Sequence, residues 1–274
     1  MKILIATDME GITGVTTWDQ VTPGHAEYAR FRRLMTQDVN AAIRGAGEAG
    51  ADEIIVTDGH WNGSNILIEE LDPRGRLNTG SPSQFSMMEG IDESVDGVFF
   101  IGYHARNGTP NAILDHTWSS KTVANVWLND ILTGEYGLNA ALAGHFSVPV
   151  IMVSGDQTAC AQVTDLLGEM ETAVVKHATG RFAAECLAPQ VAQEVIYTSA
   201  ARAMSRLAES DIPDPFMLDS PVRVMVEFFT SDMADRATRI PFTKREGTCV
   251  SFSTQEIASA YSGFRAMVML AVSG

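Results

Sequence analysis

The chain has 274 residues, of which 45% are hydrophobic and 19% charged, a composition that excludes a largely disordered protein. Its net charge of −15 argues against nucleic-acid binding, since a phosphate-binding surface needs clustered Lys and Arg. No apolar segment approaches the ~20 residues of a transmembrane helix, and the four apolar residues at 3–6 are too few for a signal peptide. We therefore expect a cytoplasmic protein that binds neither nucleic acid nor membrane.

The first 210 residues alternate between segments typical of strands and segments typical of helices. Predicted strands span 2–7, 53–57, 97–103, 148–153 and 172–176. Predicted helices span 24–49, 65–71, 135–146, 157–168 and 188–209, and residues 121–132 have the pattern of a hairpin. This alternation predicts an α/β fold with a mainly parallel sheet flanked by helices.

A proline-containing segment at 211–215 is the clearest linker in the sequence. Beyond it, residues 222–229 and 248–252 have the composition of strands, and residues 254–272 that of a helix. We therefore predict a larger α/β domain over 1–210 and a smaller C-terminal α+β unit over 211–274. The smaller unit is expected to contribute to packing or oligomerisation.

Carboxylates and histidines follow three of the apolar strands. The strand at 2–7 runs into Asp8 and Glu10, the strand at 53–57 into Asp58 and His60, and the strand at 97–103 into His104. The carboxyl ends of parallel strands meet at one edge of a sheet, where ligands and metals bind. Like charges gathered there are unfavourable unless a cation lies between them. The pattern predicts a metal site.

The candidate metal ligands are two imidazoles and three carboxylates: Asp8, Glu10, His60, His104 and Glu135. This set suits Zn²⁺, with Mn²⁺ or Co²⁺ as reasonable substitutes. Five ligands exceed a tetrahedral zinc site, and two ions about 3.5–4 Å apart that share one carboxylate fit better. Two Zn²⁺ and three carboxylates leave one positive charge, which a bridging hydroxide would balance.

Each residue also has a simpler interpretation. Asp8 is a good turn cap, Glu10 a surface charge, and a single histidine after a strand a hydrogen-bonded core residue. Glu135 suits the first turn of a helix because the helix dipole favours a carboxylate there. Convergence at one sheet edge is what favours ligation over these alternatives.

Two further residues have open roles. Asp58 is expected to orient His60 or brace its turn rather than bind metal directly. His116 follows a glycine-containing loop after His104, where it would act as general base, stabilise charge on a substrate, or serve only as a structural histidine.

The chain resembles the zinc-dependent D-aminopeptidases of the dipeptide-operon type. The resemblance begins at Ala6-Thr7-Asp8-Met9-Glu10-Gly11-Ile12-Thr13-Gly14 and covers the whole chain in order. The further matching motifs are Thr57-Asp58-Gly59-His60, Gly102-Tyr103-His104-Ala105-Arg106, Asn129-Asp130, Gly134-Glu135-Tyr136-Gly137-Leu138-Asn139-Ala140 and Ser154-Gly155-Asp156. Several motifs in the family's order are more specific than any one of them.

The resemblance implies a binuclear zinc peptidase that removes N-terminal residues, with a preference for D-residues, from short peptides with a free N-terminus. It implies a bridging role for Asp8 and metal binding by Glu10, His60, His104 and Glu135, and it makes His116 the catalytic histidine. It also implies a homodecamer, two stacked pentamers around a channel that screens substrates by size.

Parts of the sequence are also compatible with two other functions. Asp8-Met9-Glu10-Gly11 also resembles the Asp-x-Asp-Gly motif of haloacid-dehalogenase-type phosphatases, with Asp8 as nucleophile, Mg²⁺ as cofactor and Gly155-Asp156 as a later magnesium-binding turn. Glu10 departs from that motif, and His60 and His104 would have no function there. The second alternative is a non-catalytic, metal-stabilised assembly that binds small peptides without cleaving them.

Overall fold

The computed structural model describes residues 1–272. Within this range the chain forms twelve strands in two sheets, together with seven α-helices and two short 3₁₀ helices at Ile68–Glu70 and Ser86–Met88. The strands are β1 (Lys2–Thr7), β2 (Glu53–Asp58), β3 (Gly75–Asn78), β4 (Gly97–Ile101), β5 (Val123–Leu128), β6 (Ile131–Thr133), β7 (Val150–Asp156), β8 (Glu171–Gly180), β9 (Ala183–Cys186), β10 (Val222–Phe228), β11 (Lys244–Glu246) and β12 (Cys249–Thr254). The α-helices are α1 (Trp18–Val21), α2 (Tyr28–Glu48), α3 (Glu135–His145), α4 (Gln157–Leu167), α5 (Pro189–Ala208), α6 (Ser231–Ala237) and α7 (Ile257–Val272).

The larger sheet has the strand order β3-β2-β1-β4-β7-β8-β9. All neighbouring strands from β3 to β8 run parallel, and only the β8–β9 hairpin at one edge is antiparallel. The prediction of an α/β fold with a mainly parallel sheet is confirmed. In the parallel register Thr7 lies opposite both Asp58 and Ile101, so the chain segments after β1, β2 and β4 leave the sheet side by side.

Both faces of the larger sheet are covered, as its apolar strands require. Successive side chains of a strand point to opposite faces. Accordingly, Ile3 and Ile5 of β1 pack in one core cluster with residues of α2 and α5, whereas Leu4 and Ala6 pack in another with residues of α3, α4 and α7. The parallel sheet is therefore held rigidly between two helical layers.

The second sheet is antiparallel, with the order β11-β12-β10-β5-β6. It joins the predicted hairpin, seen as β5 and β6, to strands of the C-terminal segment through the pairing of β10 with β5. Side chains of this sheet and of α7 share one core cluster with the larger sheet. The segment 211–272 is thus tied to the rest of the chain by a continuous sheet and a continuous core.

Several short elements differ from the sequence expectations. The helix expected over 24–49 begins at Tyr28, and the helix expected over 65–71 is only a 3₁₀ turn, while α1, α6, β9 and β11 were not anticipated. Elements of three to seven residues are stabilised by tertiary contacts more than by their own sequence periodicity. Within residues 1–272, every helix is too short or too polar to cross a bilayer.

Candidate metal centre

Six buried side chains meet at the carboxyl edge of the larger sheet. Asp8 and Glu10 follow β1, His60 follows β2, and His104 follows β4. Glu135 is the first residue of α3, and His116 lies in the loop between β4 and β5. Each is 2–7% exposed. The structure therefore brings together all five residues predicted as metal ligands and the histidine predicted beside them.

Asp8 lies between two histidines. Its Oδ1 is 3.1 Å from His60 Nδ1, and its Oδ2 is 3.3 Å from His104 Nε2. Oδ1 also accepts a hydrogen bond from the Met9 backbone N–H at 2.8 Å, which fixes the carboxylate plane. One carboxylate thus contacts two imidazoles on opposite sides.

The two glutamates each face one of these histidines. Glu10 Oε2 is 3.2 Å from His60 Nδ1, and Glu135 Oε1 is 3.0 Å from His104 Nε2. The Trp118 backbone N–H donates to Glu135 Oε1 at 2.7 Å. Glu135 is therefore held both by its place at the start of α3 and by the loop that follows His116.

Each of the three imidazoles has its outer nitrogen against a backbone carbonyl. His60 Nε2 is 2.7 Å from the Val21 oxygen, His104 Nδ1 is 3.0 Å from the Ala105 oxygen, and His116 Nδ1 is 2.8 Å from the Leu114 oxygen. A carbonyl only accepts, so each outer nitrogen carries the proton. In the neutral ring the inner nitrogen then presents a lone pair to the carboxylates, which is favourable only with a proton or a cation between them.

Burial and the neighbouring charged groups have opposite effects on the pKa values in this cluster. Burial lowers the pKa of His60 and of His104, but the facing carboxylates outweigh it and raise both pKa values well above the ordinary value of 6.5. Burial raises the pKa of Asp8, but hydrogen bonds to His104 and His60 hold it well below its ordinary value. For His116, burial and then the neighbouring His104 ring lower the pKa. The carboxylates thus demand positive charge at His60 and His104.

The cluster has the donor groups of a divalent-metal site. Two of its buried atoms, Glu10 Oε2 and His104 Nε2, have no hydrogen-bond partner among the described residues. Two ligand groups have donor atoms within 4.8 Å of one another: Asp8, Glu10 and His104, and His104, His116 and Glu135. Mixed imidazole and carboxylate donors are those that zinc takes in catalytic sites. The unpartnered atoms are therefore what a metal-binding centre requires.

His116 stacks against His104. The two rings are nearly parallel, at 11°, with centroids 4.0 Å apart, and Trp18 meets the His116 ring edge-on at 5.5 Å. His116 Nε2 is 3.6 Å from Glu135 Oε1 and 4.0 Å from Glu10 Oε1. The ring therefore reaches the cluster from the side but stands farther from the carboxylates than His60 and His104 do.

A clamp from the β8–β9 hairpin holds the segment before His116. The Leu114 N–H donates to the Arg181 carbonyl at 3.0 Å, and Arg181 Nη2 donates to the Asp115 carbonyl at 2.8 Å. Arg181 Nε also lies 3.0 Å from Asp115 Oδ1. Leu114, with φ of 49°, needs this support because a non-glycine residue in the left-handed region is strained.

Asp58 braces the turn that carries His60. Its carboxylate accepts hydrogen bonds from the backbone N–H groups of Asn65 and Ile66, at 2.5 and 2.8 Å, and from the Asn65 side chain. Asn65 Nδ2 in turn donates to the His60 carbonyl at 2.5 Å. Asp58 thus acts on His60 through the backbone, the second of its two expected roles.

The loops after β1 and β4 touch backbone to backbone. Gly11 N donates to the Gly102 carbonyl at 2.8 Å. A Cβ at Gly11 would lie 2.1 Å from the Tyr103 oxygen, and one at Gly102, whose φ is 76°, would lie 2.3 Å from the Asp8 oxygen. Only glycine permits this approach, which sets the separation of Asp8 from His104.

Sequence patterns missed several contributors to the cluster. Trp18, the Val21 carbonyl and the Trp118 N–H reach the site from irregular segments and carry no spacing signal. Asp156 is not a metal-binding turn, since its carboxylate caps α4 by accepting from the Thr158 and Ala159 N–H groups. Asn139 is also structural, because it joins the Tyr103 and Tyr261 hydroxyls in a buried hydrogen-bond chain.

Known proteins share this architecture. A protein-family model described as D-aminopeptidase (Peptidase_M55) matches residues 1–266. A D-aminopeptidase of Bacillus subtilis (strain 168) is 36% identical over 275 residues, which cover 99% of this chain and 98% of that protein. The solved structure of the Zn-dependent D-aminopeptidase DppA from Bacillus subtilis, described as a self-compartmentalizing protease, matches with a TM-score of 0.96 and 34% identity. That match covers 100% of this chain and 99% of the other, so both sheets belong to the shared fold.

Proposed function

Because this chain belongs to the D-aminopeptidase family and is therefore a peptide-bond hydrolase, we propose that its buried cluster is the two-zinc centre of an aminopeptidase. Its substrates are short peptides with a free N-terminus, from which it removes a first residue of D configuration. The observation that carries the proposal is the contact of one carboxylate, Asp8, with two imidazoles whose inner nitrogens, among the described residues, contact only carboxylates.

The distances support two half-sites that share Asp8. One comprises Asp8, Glu10 and His60, in which His60 Nδ1 is 3.1 and 3.2 Å from the two carboxylates. The other comprises Asp8, His104 and Glu135, in which His104 Nε2 is 3.3 and 3.0 Å from the two carboxylates. Each half-site has one imidazole and one glutamate of its own, which supports Asp8 as the bridging ligand.

The charge of the cluster also supports a pair of dications. Three carboxylates gathered in one buried site need compensating positive charge. Among residues 1–272, the only positively charged or protonatable groups within 4 Å of these carboxylates are histidine rings. When bound, two zinc ions would polarise the scissile carbonyl and lower the pKa of a water to ~7. Mn²⁺ and Co²⁺ prefer similar donors and are included as substitutes.

His116 is proposed as the catalytic histidine. Its Nδ1 donates to the Leu114 carbonyl, which leaves the Nε2 lone pair, directed toward the cluster, available to take a proton. A histidine placed in this way can transfer a proton from the attacking water to the leaving amine. Stacking on His104 and the edge contact with Trp18 keep the ring in this orientation.

The acidic surroundings suit a substrate with a terminal ammonium group. The chain has a net charge of −15, and negative charge in and around a site raises the local concentration of cationic groups. The names of the related proteins support the D configuration of the first residue. The description of one of them as self-compartmentalizing supports a homo-oligomer, for which we propose a decamer enclosing a channel. The proposed location is the cytoplasm.

The two alternative functions lack support. The family match runs through nearly the whole chain and gives none to a haloacid-dehalogenase-type phosphatase or to a non-catalytic assembly. In a phosphatase His60 and His104 would have no role, yet both contact Asp8 directly.

A panel of D- and L-aminoacyl dipeptides, assayed with and without a chelator, tests the proposal. We expect amine release from the D-series, its loss on chelation and its return with Zn²⁺, together with two zinc equivalents per subunit. A protein that holds less than one equivalent of any divalent metal, or that cleaves no member of the panel, would refute the proposal.

A further inference from the structure

A fully buried lysine lies beneath the loop that carries the metal-site carboxylates. Lys176 belongs to β8, where it directly follows the apolar run Ala173–Val175, and it is 0% exposed. Charged side chains are almost never buried completely unless they are paired. Within residues 1–272, however, its hydrogen-bond partners are backbone carbonyls, and the carboxylates of Asp156, Asp38 and Glu10 favour its charged form only from a distance, without a salt bridge.

The partners of Lys176 are instead three backbone carbonyls of one loop. Its Nζ donates to the oxygens of Glu10 at 2.7 Å, Ile12 at 2.8 Å and Val15 at 2.9 Å. An ammonium group has three N–H donors, so all of them are used. Three carbonyl dipoles that converge on one buried point repel one another unless a cation lies there.

Other contacts anchor the same loop but do not gather these carbonyls. The Gly11 N–H bonds to Gly102, and both the N–H and the hydroxyl of Thr13 bond to Asp38. These bonds engage N–H and hydroxyl groups of the loop, and the Val15 N–H also donates to the Ile12 carbonyl at 3.2 Å, but none of them reaches the Glu10 carbonyl. Lys176 alone, among the described residues, joins the Glu10 carbonyl to two later carbonyls and so sets the curvature of the segment 10–15.

We propose that Lys176 is a positioning residue for metal binding by Glu10. By gathering the carbonyls at 10, 12 and 15, its ammonium group fixes the direction in which the Glu10 side chain leaves the loop toward His60 Nδ1, 3.2 Å away. This inference rests on the proposed two-zinc function. The inference goes beyond that proposed function because it assigns a role to a residue that touches neither metal nor substrate.

The test is a zinc titration of the Lys176→Met variant against a competing chelating dye. Methionine keeps the length and apolar stem of lysine but removes the three donors. We expect zinc affinity to fall 10- to 100-fold, the usual effect of losing a group that orients a metal ligand. The free energy of unfolding in excess chelator is measured alongside, because a merely structural role would lower that free energy and leave the zinc affinity of the folded variant unchanged.

Lys244→Met is the matched control, since Lys244 lies exposed on β11 in the other sheet. It should bind zinc as the native protein does. Native zinc affinity in folded Lys176→Met would overturn the inference. Native protein that binds no zinc would instead refute the proposed function, so the two failures are distinguishable.

If Lys176→Met does not fold, Lys176→Arg carries the test. Guanidinium keeps the charge but holds its donors in one plane, so it cannot direct three N–H groups to three converging oxygens. Folded Lys176→Arg with weakened zinc binding supports the inference, and native affinity overturns it. Failure of both variants to fold would assign Lys176 a purely structural role and would overturn it as well.

Discussion

His104 and His116 lie face to face, with ring centroids 4.0 Å apart and an interplanar angle of 11°. Both rings donate through Nδ1 to a backbone carbonyl, and both direct Nε2 toward Glu135 Oε1, at 3.0 Å from His104 and 3.6 Å from His116. Only His104 also contacts Asp8. The two parallel rings thus differ mainly in their distance from the carboxylates. We propose that the nearer ring, His104, is a metal ligand and that the farther ring, His116, carries protons.

Alanine at these two positions should separate the roles. His104→Ala should lose zinc and activity together, because it removes the imidazole of one half-site. His116→Ala should keep its zinc but lose roughly 10²- to 10⁴-fold in kcat, the usual contribution of a general acid or base. Zinc per subunit and steady-state kinetics are the measurements. If His116→Ala protein also loses zinc, His116 is a ligand rather than a proton carrier.

Asp8→Asn should empty the centre, whereas each glutamate variant should empty half of it. Asp8 contacts both His60 and His104, while Glu10 and Glu135 each face one of them. We therefore expect close to zero zinc in Asp8→Asn and about one equivalent in Glu10→Gln and in Glu135→Gln. Metal analysis after gel filtration measures this. Full zinc content in Asp8→Asn would exclude a bridging role.

Arg181→Met should slow turnover without changing metal content. Arg181 holds Asp115 by its side chain and Leu114 by its carbonyl, and these residues precede His116. Loosening this clamp displaces the imidazole, for which we expect a roughly tenfold loss in kcat. In the double variant with His116→Ala the two losses should not multiply, because the clamp acts through His116. Independent, multiplying effects would show that Arg181 acts elsewhere.

Asp38 should make stability fall as pH rises from about 4 to 6. Burial raises the pKa of Asp38 from 3.8 to about 6, despite its hydrogen bonds from Thr13. Between these values the folded state holds the proton more tightly than the unfolded state, so folding stability is lost as pH rises through the folded-state pKa. At about 1.4 kcal/mol per pKa unit the loss is roughly 3 kcal/mol.

Asp38→Asn tests this pH dependence because it keeps the shape of the side chain but cannot ionise. Asp38→Asn should gain stability relative to the native protein as pH rises, so its free energy of unfolding minus that of the native protein should be larger at pH 7.5 than at pH 4.5. Urea unfolding of both proteins in chelator measures the difference without a contribution from metal binding. An equal difference at the two pH values would show that Asp38 does not titrate in this range.

The strand pattern predicted the residues of the site that follow apolar strands, whereas Glu135 and His116 were predicted from a helix start, a loop position and the family resemblance. Asp8, His60 and His104 stand directly after β1, β2 and β4, and the geometry of a parallel sheet alone brings such positions together. The other contributors could not be read in this way. Trp18 lies on a four-residue helix, and Arg181 lies in a tight hairpin, where no periodicity marks which partner each will meet.

One missed residue did carry a signal. Lys176 directly follows three apolar residues of β8, Ala173 to Val175, and a charge at a buried strand position requires a partner. The sequence could not say that this partner is a loop more than 160 positions earlier in the chain. The pairing of β5 with β10 was hidden for the same reason, since the predicted hairpin gave no indication of which distant strand would extend it.

The direct backbone contact between Gly11 and Gly102 makes the separation of Asp8 from His104 a property of the main chain. Exchanging the ligand side chains would therefore do little to increase the separation of Asp8 from His104 for larger ions. The useful change is a small side chain at either glycine, which would wedge the two loops apart and carry Asp8 away from His104. Gly11 and Gly102 therefore determine the separation of the candidate ligands, although neither residue has a side chain that could bind metal or substrate.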